Sequence, residues 1–74
     1  MPFVLSGYDD GRSYDDRRPT WEPDDEYADL ESASSAARRW LAGRSDAAQV
    51  EAIELEGDLG HVRRVLSRSG EEDI

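Results

Sequence analysis

The sequence predicts an α+β fold: one small domain of order β(β)-α-β-β, with a single amphipathic helix packed on a three- to four-stranded, mainly antiparallel sheet. Three observations carry that expectation. Apolar residues recur at helical spacing in one place, from Leu30 to Leu41. Short Val-, Ile- and Leu-bearing segments lie on both sides of it. Two of those segments are joined by the Gly57-Asp58-Leu59-Gly60 turn, which brings the second back along the first.

The helix is the clearest element. Leu30, Ala33, Ala37, Trp40 and Leu41 fall on one face at 3.6 residues per turn. Asp24, Asp25, Glu26 and Asp29 crowd its start, where the macrodipole favours negative charge, and Arg38, Arg39 and Arg44 lie near its end. Asp29 is the preferred N-cap, with Pro23-Asp24 as an earlier alternative start. Gly43 supplies the stop.

Phe3-Val4-Leu5 reads as a first strand running on through Ser6-Gly7-Tyr8. Asp10-Gly11 suits a tight turn whose central residues need positive φ, so Arg12-Ser13-Tyr14 is expected to pair back briefly. Pro19 ends that ladder, because proline donates no backbone hydrogen bond. An irregular acidic loop at about 15–28 follows, with Trp21 as its one large apolar anchor. From Gln49 to Glu56 polarity alternates, with Ile53 and Leu55 on one side and expected to shelter the helix stripe. Val50 is out of phase with them, which points to a bulge or to cover on both faces. Residues 61–67 read as the returning strand, although Leu59, Val62 and Leu66 also fit a helical face. The domain spans 1–70, and residues 71–74 read as a frayed acidic tail. If Val50, Val62 or Leu66 point away from the helix, the sheet carries apolar surface that one helix cannot cover.

Composition narrows the function classes. Leu, Ile, Val and Phe are 13 of 74 residues, a thin stock for a core, and the net charge is −9. All nine bases are Arg, and Lys and Asn are absent, the bias of a GC-rich genome such as that of an actinobacterium or one of its phages. No apolar run approaches a membrane span, and the start lacks the basic and apolar segments of a signal peptide, so no membrane partner and a cytoplasmic protein are expected. Without cysteine there are neither disulfides nor thiolate metal sites.

No catalytic, cofactor-binding or metal site is expected. His61 has no second His or Cys to share a metal with. The pairs Asp9-Asp10, Asp15-Asp16 and Asp24-Asp25-Glu26 do not follow the calcium-loop spacing, and nothing around them would raise a carboxyl pKa for acid–base work. Arg38-Arg39 and Arg63-Arg64 could form a small cationic spot. The simpler expectation is local pairing, with Arg63 or Arg64 meeting Glu54 or Glu56 across the hairpin. Direct nucleic-acid binding is disfavoured by the acidity. Trp40 belongs to the core; Trp21 is either a lid over the helix–sheet seam or an anchor for a partner.

The reading that follows is a small acidic, non-catalytic protein–protein interaction module, accessory or regulatory in role. Its expected contact residues are Asp9, Asp10, Asp15, Asp16, Trp21, Asp24, Asp25 and Glu26. A homodimer through an exposed sheet edge or face is the simplest way to complete a thin core. The alternative is an acidic nucleic-acid mimic of phage type, blocking a basic groove, which needs its carboxylates in an ordered stripe rather than in local pairs with Arg.

Overall fold

A computed structural model describes residues 2–9 and 19–74. Its element order is β1 (Phe3–Tyr8), α1 (Leu30–Ala42), β2 (Gln49–Glu56), β3 (Leu59–Ser67) and β4 (Gly70–Asp73). The strands form one antiparallel sheet in the order β1-β2-β3-β4, with the helix on one face. The predicted α+β domain is thus the observed one. The expected turn at Asp10-Gly11 and second arm at Arg12-Ser13-Tyr14 lie outside the described residues. No described helix is long and apolar enough to cross a membrane.

The helix begins where its cap chemistry dictates. Asp29 is extended (φ −146°, ψ 168°), and its Oδ1 accepts the Ser32 backbone N–H at 2.7 Å. That bond to the ionised form holds the Asp29 carboxyl below its ordinary pKa. At the other end Gly43 caps with φ −99°, so it ends the helix without a left-handed turn.

The packing is built from small residues. Ala33, Ser34 and Ala37 are completely buried, with Leu41 nearly so, and they meet Leu5, Ala48, Val50, Ala52 and Leu66. Side chains this short bring the helix axis close to the sheet. A core of little apolar volume is thereby closed with few large side chains. Of its large side chains only Leu5, Leu66 and Val50 are fully buried.

Register explains which residues these are. Leu5 pairs with Ala52, Gly7 with Val50, and Val50 with Leu66, all toward the helix. Val4 pairs with Ile53 and Ile53 with Val62, and this row faces the other way. Ile53 and Leu55 therefore do not shelter the helix stripe as expected; Val50 and Ala52 do. The bulge expected in β2 at Val50 is absent, since Val50 sits in regular register; the irregularity lies in β3, opposite the Ala52/Ile53 step. Ala52 pairs with Arg64 but Ile53 with Val62, so Arg63 is an extra residue in β3. This bulge lets Val62 and Val65 share one face while Leu66 turns into the core.

The β2–β3 turn is shorter than expected. It consists of Gly57 (φ +62°) and Asp58, with Leu59 and Gly60 already in β3. Gly60 is required for a different reason: a Cβ there would lie 2.9 Å from Ile53 Cγ2. The acidic tail is also corrected. Gly70–Asp73 pairs with β3 from Ser67 to Arg64, and the Ile74 N–H donates to the Arg63 carbonyl at 3.0 Å. All four β4 residues are exposed, so the strand is held without burial of its own.

The two faces should respond differently to truncation. Leu66→Ala removes a fully buried side chain and should cost about 2–5 kcal/mol, out of about 4–11 kcal/mol for a chain of this length. Ile53→Ala should cost less than half as much. Urea unfolding followed by far-ultraviolet circular dichroism measures both; equal losses would mean that the faces are misassigned.

Candidate functional site

Three features could carry function: the strap beside β1, the ion-pair cluster under β4, and the sheet face opposite the helix.

The strap is the segment 19–28. It lies along the free edge of β1 through two antiparallel bridges, Gly7 to Trp21 and Phe3 to Tyr27. The Gly7 N–H donates to the Trp21 carbonyl at 2.8 Å, and the Phe3 N–H to the Tyr27 carbonyl at 2.8 Å. Thr20 adds a hydroxyl bond to the Gly7 carbonyl and accepts the Asp9 N–H. Trp21 stacks on Trp40 with ring centroids 4.9 Å apart and planes 6° from parallel. The Arg44 guanidinium lies 4.7 Å from the Trp40 ring centre. Gly7 makes room for the pair, since a Cβ would meet both indoles at 3.0 Å. Trp21 is thus seated as a lid over the end of the helix–sheet seam, partly exposed at its rim.

The acids named from the sequence separate. Asp9 lies 3.7 Å from Arg44, while Asp24, Asp25 and Glu26 are exposed on the strap, with no ion pair among the described residues. Asp10, Asp15 and Asp16 lie outside the described residues. His61 is exposed at the start of β3. Among the described residues, no group of three or more His, Cys, Asp or Glu side chains is placed to hold a metal ion.

The ion-pair cluster joins the helix to β4. Arg38 grips Glu71 with two nitrogens, one at 2.9 Å. Arg64, largely buried at 14% side-chain exposure, bonds Asp73 and the Ser34 hydroxyl and lies within 3.7 Å of Glu31 and Glu71. Arg63 meets Glu54 at 2.9 Å, as the hairpin geometry predicts. Arg38 answers Glu71 on β4, a partner that sequence spacing gives no hint of. The hydrogen bonds from Arg38 and Arg64 hold the Glu71 and Asp73 carboxyls below their ordinary pKa values. A recess of about 490 Å³ opens beside this cluster, lined among others by Arg38, Leu41, Arg68 and Glu71. Its cations are already engaged: Arg38 by Glu71, and Arg68 by the Arg44 carbonyl and Asp46.

The uncovered face has a different character. Val4, Ile53 and Val62 form a row across β1, β2 and β3, with Leu55 and Val65 beside it. All five are partly exposed. Tyr8 and Ser6, at the β1 end of this face, are buried. Burial, with the negative charges of Glu51 and Glu22 nearby, pushes the Tyr8 hydroxyl pKa up. Sequence reasoning named Val62 as a residue that could face outward. It placed Ile53 and Leu55 on the helix side instead, and it missed Val65, which the bulge at Arg63 brings to the same face as Val62.

Compared with protein-family models, curated proteins and solved structures, the chain matches none. Its chemistry is read from its own geometry.

The cluster sets a pH response. Glu71 and Asp73 bind protons less readily in the folded chain than in the unfolded one. Their pairs therefore stabilise β4 above the ordinary carboxylate range, and that contribution is lost as pH falls through the lowered folded values. Amide exchange at residues 71–74, corrected for its intrinsic pH dependence, should accelerate as pH falls below the ordinary carboxylate range, before the helix amides lose protection. In Arg64→Gln it should be fast already at neutral pH. Simultaneous loss of β4 and helix protection would show that the cluster is no separate fastening.

Proposed function

We propose that this chain is a small, non-catalytic protein-binding module that meets its partner with the sheet face its helix leaves uncovered. The supporting observation is the row Val4–Ile53–Val62, flanked by Leu55 and Val65, on the side of the sheet away from the core. One helix covers one face of a sheet, and contiguous apolar surface on the other is the ordinary mark of an interaction site.

The edges serve this purpose less well. The strap takes the outward-facing groups of Phe3 and Gly7 on β1. The opposite edge, β4, has four residues and carries Glu71, Glu72 and Asp73, a short and charged edge of the kind that discourages strand pairing. The acidic-mimic reading rests on Glu22, Asp24, Asp25 and Glu26 among the described acids of residues 9–29. Asp29 is used as a helix cap and Asp9 lies beside Arg44. Four exposed carboxylates within five residues are a short stripe for imitating a phosphate backbone.

A photo-reactive amino acid placed at position 62 should yield one discrete protein adduct in host cells. The same group at position 39, exposed on the helix, should yield none. Adducts of equal strength from both positions, or none from position 62, would overturn the reading.

A further inference from the structure

We propose that the strap stands in for a partner's strand: the outer edge of β1 accepts an extended protein segment with aromatic residues four apart, and residues 19–28 cover that edge until such a segment displaces them. This site lies at the sheet edge and does not depend on the face discussed above. Three observations select it.

The first is that the cover pairs the edge incompletely. Alternate residues of an antiparallel strand aim their N–H and C=O groups to the same side. Phe3 and Gly7 aim theirs at the strap, each exchanging two bonds, with Tyr27 and Trp21 respectively, at 2.8 to 3.2 Å. Leu5, midway between them, aims the same way. It is 2% exposed, yet no described residue bonds its N–H or C=O on that side. Main-chain groups left unpaired at a buried position are uncommon and costly. The cause is length: five strap residues, 22 to 26, lie between the two bridges where β1 has three, so the strap cannot keep register opposite Leu5.

The second is a pair of side-chain sites beside that edge. A Cβ at Gly7 would lie 3.0 Å from both indoles, so the ring that rests on Trp40 needs a glycine beside it. Trp21 fills this place at one bridge, and Tyr27 packs against the core at the other. A regular antiparallel strand would set three of its residues, at j, j+2 and j+4, opposite Gly7, Leu5 and Phe3, all on the helix side. Aromatic residues at j and j+4 would replace Trp21 and Tyr27, and the residue between them would pair with Leu5. Adding a strand to a sheet edge in this way is a recurrent mode of peptide recognition.

The third is that the strap cannot mend the gap itself. Pro23 has no N–H to give, and Glu22, Asp24, Asp25 and Glu26 are exposed rather than packed. The strap of a second copy carries the same six-residue spacing from Trp21 to Tyr27 and would leave the same gap, so the occupant is a protein of different sequence. Strap and partner exclude each other. The affinity observed is therefore the intrinsic one reduced to the fraction of molecules whose strap is open, and whatever loosens the strap tightens binding.

Titration of the isotope-labelled full chain with the peptide acetyl-Lys-Trp-Thr-Val-Thr-Tyr-Lys-amide, followed by nuclear magnetic resonance, tests this. The peptide should shift the Phe3, Leu5 and Gly7 amides and slow exchange of the Leu5 amide at least about tenfold. A peptide of the same composition with its two aromatics adjacent should do neither. Trp21→Ala, which removes the indole stack that holds the strap, should bind the first peptide at least about tenfold more tightly than the native chain does. Circular dichroism melts show whether the variant is folded. Should it unfold, Thr20→Val, which removes the hydroxyl bonds to the Gly7 carbonyl and the Asp9 N–H, is expected to tighten binding severalfold. Equal binding of the two peptides, no gain in affinity on loosening the strap, or no binding to any of the three chains overturns the inference. Shifts confined to Val4, Ile53 and Val62 overturn it as well but leave the face reading standing, and that reading falls separately if position 62 yields no adduct.

Discussion

The close approach of helix to sheet through Ala33, Ser34 and Ala37 is the constraint on which the rest of the structure depends. With so few large apolar residues, the chain cannot fill a deep interior, so it uses a shallow one. The residues opposite are correspondingly modest: Leu5, Val50, Ala52 and Leu66. A seam this thin cannot tolerate an uncompensated polar group. Ser34, buried within it, accepts a hydrogen bond from Arg64 at 3.0 Å, and that arginine is in turn neutralised by Asp73. Core, helix and last strand are joined through one guanidinium.

Charge has two separate tasks. Around Arg38 and Arg64 it substitutes for apolar contacts, fastening a strand with no buried residue to a helix otherwise short of grip. Exposed ion pairs individually contribute little, so the fastening depends on several acting together around a shielded Arg64. On the strap, by contrast, Asp24, Asp25 and Glu26 stay exposed. The indole stack and the bridges to β1 hold that segment instead.

How much of this could be read from the chain follows from the range of each interaction. The helix was legible to its cap, since the 3.6-residue recurrence from Leu30 and the Asp29 side chain are both local signals. The hairpin of β2 and β3 was legible through Gly57 and the alternation before it. β4 was not. Gly-Glu-Glu-Asp has no apolar residue and poor strand propensity, and its partners are Arg64, nine residues before Asp73, and Arg38, 33 residues before Glu71. The orientation of β2 was misread for a related reason. Alternation shows that Val50 and Ile53 oppose each other, but only pairing with Leu5 and Leu66 shows which of them faces the helix. The expected contact residues were chosen for charge, whereas the face away from the helix is marked by an apolar row beside Glu51 and Glu72, so composition pointed away from it.

The extra residue at Arg63 also bears on how such a chain can change over evolutionary time. Because β3 reverses phase there, Val62 and Val65 stand three apart yet point the same way, while Val62 and Leu66, four apart, point to opposite faces. Losing Arg63 itself would set Val62 next to Arg64 in plain alternation, keeping the pairs Ile53–Val62, Ala52–Arg64 and Val50–Leu66 and the faces they define. A point substitution at 63 disturbs only the pair with Glu54. Descendants of this sequence can therefore change or shed position 63 with Leu66 still in the core, whereas a residue gained or lost between Arg64 and Leu66 would turn one of the two away from the helix.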